Sequence, residues 1–184
     1  MGKLILTSAG FKNKNIESKF IEFLNKDVKS AKVLFIPTAA ITEGQKLFIP
    51  LCKNDLLDAG IIDSNIISYD LDRKLTEEKI CSYNAIYVCG GTPEYLLDKM
   101  IQCEFKESLK IFLNSGGIYV GVSAGSIVLA QNLKNNLGYI HSTLHVHEEK
   151  GTASGSLNYD KTPIIKLADN QAIIINNTEI YIYE

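Results

Sequence analysis

Five consecutive residues, Gly121-Val122-Ser123-Ala124-Gly125, set a hydroxyl nucleophile between glycines two positions away on either side. A β-branched apolar run, Ile118–Val122, leads into them, and a second apolar run resumes at Ser126 with helical spacing. A G-x-S-x-G at the joint of a strand and a helix is a nucleophile elbow. The glycines tolerate the tight turn and let other backbone come close. Ser123 then projects its hydroxyl at a helix N-terminus, where unpaired amides and the helix dipole favour a developing oxyanion. The Ala124 amide, directly after the serine, is one such donor, and the chemistry this serves is acyl transfer.

A serine nucleophile needs a base. The chain's three histidines, His141, His145 and His147, all lie 18 to 24 residues after Ser123. If Tyr139–Glu148 is extended, the three share one face, because strand side chains repeat every two residues. Spacing alone does not choose between His145 and His147.

Gly90-Gly91-Thr92-Pro93 leads from a buried strand into a helix, and its amides could supply a second oxyanion donor. The competing use, a phosphate cradle at a helix N-terminus, lacks support. The chain has no G-x-x-x-x-G-K-[ST], and neither glycine cluster spells G-x-G-x-x-G. The four cysteines, Cys52, Cys81, Cys89 and Cys103, show no C-x-x-C spacing and sit in apolar surroundings, so buried, reduced thiols are expected. Cys89 reads as a strand-end core residue, and no zinc-ligand pattern is present.

The elements that must position these groups alternate along the chain. Strands are expected at Lys3–Ser8, Lys32–Ile36, Asn65–Tyr69, Ala85–Cys89 and Ile118–Val122. Helices are expected at Ile16–Asn25, Gln45–Ala59, Thr76–Ser82, Pro93–Gln102, Phe105–Asn114 and Ser126–Leu133, with a break near Pro50. Short Val/Ile/Leu/Tyr runs between amphipathic segments predict βαβ units and an α/β, mostly parallel, doubly wound, flavodoxin-like sheet. Pro163–Leu167, Gln171–Asn176 and Glu179–Tyr183 predict an antiparallel C-terminal extension with a hairpin turn at Asn176-Asn177-Thr178. In such sheets ligands bind beyond the carboxyl ends of the strands. Those ends carry Thr7-Ser8-Ala9-Gly10, Pro37-Thr38-Ala39-Ala40, Gly90-Gly91-Thr92 and the elbow, small residues suited to a crevice floor.

The chain has 184 residues, 46% hydrophobic and 22% charged, enough for one domain over 1–184 with a real core. A net charge of −2 suggests no nucleic-acid surface. No run approaches the ~18 apolar residues of a membrane span, and the N-terminus lacks signal-peptide sections, so a cytoplasmic protein without membrane partners is expected. Gln45–Ala59 and the C-terminal strands offer apolar surface through which two copies could pair as a homodimer.

Four segments together carry a family likeness: Ile-Pro-Thr-Ala-Ala (36–40), Val-Cys-Gly-Gly-Thr-Pro-Glu-Tyr-Leu-Leu (88–97), Gly-Val-Ser-Ala-Gly-Ser (121–126) and Leu-Gly-Tyr-Ile…Val-His (137–147). They resemble the dipeptidase E and cyanophycinase family, serine peptidases on a class I glutamine amidotransferase-like fold. The resemblance implies a cofactor-free, metal-free hydrolase of small peptides. It makes Ser123 the nucleophile, His147 the base, and the amides of Gly91 and Ala124 the oxyanion hole. Gly90 and Thr92 then belong to the substrate-binding turn. The segment Leu167-Ala-Asp-Asn-Gln-Ala-Ile is also similar and puts Asp169 near the substrate side.

Such triads commonly place their acid between serine and histidine, yet residues 124–146 contain no Asp or Glu. Asn135 and Asn136 fall nearest, and an Asn can orient an imidazole but cannot stabilise imidazolium by charge. Glu148, Glu149 or Asp169 could supply the acid from elsewhere. The alternative is a catalytically impaired relative that binds a peptide or amino acid without turnover. An α/β-hydrolase esterase fits less well, because only 61 residues follow Ser123 and no HGGG-type loop is present. Some relatives cleave after aspartyl residues, and the one arginine available to hold such a side chain is Arg73, at a strand end.

Overall fold

The computed structural model describes residues 2–184. Its first part alternates strands and helices: β1 (Lys3–Thr7), α1 (Lys14–Leu24), β2 (Val33–Ile36), α2 (Glu43–Lys46), α3 (Ile49–Asp58), β3 (Ile66–Ser68), α4 (Glu77–Cys81), β4 (Ala85–Val88), α5 (Pro93–Gln102), α6 (Phe105–Asn114), β5 (Ile118–Val122) and α7 (Ala124–Ile127). Strands dominate the rest: β6 (Thr143–His145), β7 (Gly155–Ser156), β8 (Ile164–Lys166), β9 (Ala172–Asn176) and β10 (Glu179–Tyr183).

Eight strands form one sheet in the order β3-β2-β4-β5-β1-β9-β10-β7. The first five run parallel. β9, β10 and β7 extend the sheet antiparallel, with the β9–β10 hairpin turning at Asn177 in a left-handed conformation. The Pro163–Leu167 segment, expected in the antiparallel extension, instead forms β8, which pairs with β6 in a separate parallel two-stranded sheet.

The inner strands read as unbroken apolar runs because both faces are covered. Leu4, Leu6, Ile86 and Val88 pack with Leu96, Met100 and Phe112 of α5 and α6. Ile5, Val33, Tyr87 and Val120 face the opposite layer, with Phe20 of α1 and Leu56 of α3. From β2 the chain steps outward to β3 and then returns to β4 on the other flank. That reversal opens a crevice at the carboxyl ends of β2 and β4, and the elbow at the end of β5 borders it.

Several expected elements change length. The helix expected over Gln45–Ala59 divides into α2 and α3, and Pro50 sits in the first turn of α3, where its missing N–H costs no hydrogen bond. α2 is set by a capping box between Thr42 and Gln45. The helix expected over Ser126–Leu133 is the single turn of α7. Beyond it the carbonyls of Val128 and Leu129 accept from the amides of Leu137, Tyr139 and Ile140, so returning chain takes the bonds a longer helix would use. Tyr139–Glu148 is extended only over β6. Cys52, Cys89 and Cys103 are buried, but Cys81, at the end of α4, is exposed.

Candidate active site

Ser123 joins β5 to α7 with φ 47° and ψ −105°, a conformation costing a non-glycine residue about 1–3 kcal/mol. The surroundings impose it. The Ser123 amide donates to the Thr7 carbonyl of β1 at 3.0 Å. The buried Ser126 hydroxyl lies 2.9 Å from both the Thr7 and Gly121 carbonyls, and the Tyr119 hydroxyl donates to Gly125 at 2.7 Å. A Cβ at Gly121 would stand 2.6 Å from the Gly125 carbonyl oxygen, and one at Gly125 would stand 2.6 Å from that of Val88. The two glycines of the motif thus let α7 sit directly against β4 and β5.

His147 faces the serine. Its Nε2 is 3.2 Å from Ser123 Oγ, and its Nδ1 is 2.8 Å from Asp169 Oδ1. A carboxylate on Nδ1 assigns the ring proton to that nitrogen and leaves Nε2 as an acceptor. The pairing of β6 with β8 brings the two together. His145 aligns with Lys166, and beyond the strands Leu167 donates to the His145 carbonyl at 2.8 Å while Glu148 donates to the Leu167 carbonyl at 3.1 Å. Ser8, at the end of β1, completes the cluster. Its hydroxyl accepts from the His147 amide at 2.7 Å and donates to Asp169 Oδ1 at 3.1 Å. Lys12 pairs with Asp169 Oδ2 at 3.2 Å. Partial burial alone would raise the Asp169 pKa. The bonds from His147, Lys12 and Ser8 together outweigh it and hold the carboxyl below its ordinary range.

The Gly90–Thr92 turn lies across from the elbow. Gly91 has φ +147°, and a Cβ there would fall 2.1 Å from the Ala39 carbonyl oxygen, which already accepts from Thr92 at 2.8 Å. Neither the Gly91 nor the Ala124 amide donates to a protein acceptor among the described residues. A Cβ at Gly90 would lie 3.3 Å from that of Ser123. Between elbow and turn is a cleft of about 240 Å³, lined by Gln45, Phe48, Cys52, Val122, Gly90 and Gly91 together with Ser123 and His147.

The structure thus gathers Ser123, His147, Gly90, Gly91 and Ala124 as the sequence suggested. Two expectations shift. Asp169, expected near the substrate side and also one of three candidate acids, bonds to the far nitrogen of His147, with that ring between it and Ser123, the second of these positions and not the first. The Thr92 hydroxyl does not line the cleft; it accepts from the Gln45 side-chain amide at 3.1 Å. The other histidines are elsewhere: His141 packs edge-on to Tyr159, and His145 lies 3.5 Å from Glu148. Asn136 bonds to the Leu133 carbonyl, and Arg73 is exposed and paired with Asp72. Ser8, Gln45, Phe48 and Cys52 were not singled out as site residues from sequence. Only Ser8 carried a signal, its place in the Thr7–Gly10 crevice segment.

Among the described residues, no group of three or more His, Cys, Asp or Glu side chains is placed to hold a metal ion. No helix among them is long and apolar enough to cross a membrane.

The sequence model of peptidase family S51 matches residues 4–143, a span that includes Ser123 and ends before His147 and Asp169. An uncharacterized peptidase of Pasteurella multocida is 28% identical over 134 residues, 72% of this chain and 62% of the relative. An uncharacterized peptidase of Listeria monocytogenes is 27% identical over 135 residues, 72% of this chain and 63% of the relative. The matches therefore span somewhat under two thirds of those relatives' length. Among solved structures, a candidate peptidase E from Listeria monocytogenes superposes with a TM-score of 0.75 at 21% identity, covering 100% of this chain and 98% of the other. A peptidase from an acI-B1 Actinobacterium gives a TM-score of 0.70 at 18% identity, covering 100% and 87%. These two likenesses concern the fold.

Proposed function

Because the chain belongs to peptidase family S51, we propose that it is a serine peptidase acting on small peptides through an acyl-enzyme on Ser123. The observation that carries this is one imidazole with a partner on each nitrogen: Ser123 Oγ at 3.2 Å and Asp169 Oδ1 at 2.8 Å. That is the constellation of a Ser-His-Asp triad, which is recognised by geometry rather than by chain order.

His147 Nε2 takes the Ser123 proton as Oγ attacks the scissile carbonyl. The amides of Gly91 and Ala124 stabilise the resulting oxyanion. His147 returns the proton to the departing amine, and water then attacks the ester carbonyl with His147 again acting as base. The C–Oγ bond breaks to release the acid, and His147 gives the proton back to Ser123. Asp169 fixes the ring orientation and the Nδ1 proton, and its charge stabilises the imidazolium formed in each half. The reading of a silent binding protein arose from the missing acid between residues 124 and 146, and an acid after the histidine serves the same need.

Hydrolysis of a dipeptide library tests the proposal. The wild-type protein should release amino acids from part of the library, and Ser123→Ala and His147→Ala should release none. Equal turnover by Ser123→Ala would overturn it.

A further inference from the structure

We infer that the cleft beside Ser123 selects an uncharged, apolar side chain on the residue whose carbonyl is attacked. This rests on the serine-peptidase reading above. A carbonyl held between Ser123 and the Gly91 amide places the side chain of its own residue in the same cleft. The apolar residues lining it there are Phe48, Cys52 and Val122.

No Lys, Arg, Asp or Glu lines the cleft among the described residues. Lys12 pairs with the Asp169 carboxylate behind His147 at 3.2 Å, and Lys46, on α2, pairs with Glu43 at 2.7 Å. Arg73, the chain's one arginine, is paired with its neighbour Asp72. Gln45, the polar wall residue, is turned toward its own helix cap. Its side-chain oxygen accepts from the amides of Ile41 and Thr42 at 3.0 and 3.1 Å, and its amide donates to Thr92. An aspartyl carboxylate entering this cleft would shed water and meet no lysine or arginine. The lining His147 already has Ser123 and Asp169 on its two ring nitrogens, so the ion would go unpaired at a cost. A leucyl, methionyl or phenylalanyl side chain would bury against apolar wall instead. The volume, about 240 Å³, is small for a ligand site and suits one such side chain.

Two arms test this and separate its failure from that of the catalytic reading. In the first, wild-type protein is given aminoacyl p-nitroanilides with Leu, Met, Phe, Asp or Lys as the acyl residue, so that only that side chain varies. The best apolar substrate should exceed Asp and Lys in kcat/KM by about 100-fold or more. Phe48→Ser should lower the apolar values by about tenfold. Turnover of the aspartyl compound equal to or above the apolar ones would overturn the inference. In the second arm, Ser123→Ala protein is titrated with N-acetyl-leucine amide and N-acetyl-aspartate amide by ligand-observed NMR. Preferential binding of the leucine amide supports the apolar pocket even if no peptide is turned over, in which case the catalytic reading alone fails. Equal binding, or preference for the aspartate amide, overturns the pocket assignment.

Discussion

The backbone amide of His147 donates to the hydroxyl of Ser8 at 2.7 Å, tying the end of β1 to a residue 139 positions later. His147 has φ 59°, a left-handed conformation that is uncommon for a non-glycine residue. The same hydroxyl donates to Asp169, so one buried group orients both the proposed base and its proposed acid. In the proposed mechanism Ser8 is a positioning residue, acting on bond making through His147.

Ser8→Ala should therefore lower kcat by between about tenfold and 100-fold while leaving KM little changed, since a small displacement of the base weakens the transition state more than ground-state binding. Steady-state kinetics with a thermal melt would separate this from simple loss of fold. A kcat equal to wild type would remove Ser8 from the account.

Asp169→Asn should cost far more. An amide on Nδ1 can leave the imidazole in the wrong tautomer, and the equivalent change in a Ser-His-Asp protease lowers turnover about 10⁴-fold. Asp169→Glu retains the charge and should fall between the two.

Gly91→Ala tests the oxyanion turn. The added methyl meets the Ala39 carbonyl, so the turn must shift and take its amide with it. Loss of one such donor costs about 10²–10³ in kcat. A circular dichroism spectrum unchanged from wild type would confirm that the loss lies in the site.

The stability of the fold should respond to pH in opposite directions at two carboxyls. Burial raises the Asp55 pKa above 3.8, more than the bonds from Tyr87 and Phe11 lower it, so its folded form holds its proton more tightly than the unfolded chain. Its stabilising share is complete below 3.8 and is lost as pH rises through the raised folded value. Asp169 is held low, so its share is present above 3.8 and is lost as pH falls through the lowered value. Urea midpoints measured across the acid range should show Asp55→Asn flattening the decline above 3.8, and Asp169→Asn flattening the loss on acidification.

The elbow was legible because its signal is local: a β-branched run, two glycines with a serine between them, and a resuming apolar run all fall within thirteen residues, 117–129. The parallel sheet was legible for the same reason, each strand being a short apolar run between amphipathic segments. Asp169 was legible only as one of three candidate acids, and Ser8 only as part of the Thr7–Gly10 crevice segment. Asp169 reaches His147 through the β6–β8 pairing, and Ser8 through the β1–β5 and β1–β9 pairings, contacts between segments far apart in sequence. The proposed acid follows the histidine in sequence, where nothing local distinguishes Asp169 from Glu148 or Glu149. The sequence suggests a longer helix after the elbow because the apolar residues continue, but tertiary hydrogen bonds end it after one turn.

The central claim is an activated serine, and labelling with a fluorophosphonate read by intact mass tests it most directly. One adduct should form on the wild-type protein, none on Ser123→Ala, and very little on His147→Ala or Asp169→Asn. A folded wild-type protein that takes no adduct, or a Ser123→Ala variant that still takes one, would contradict it.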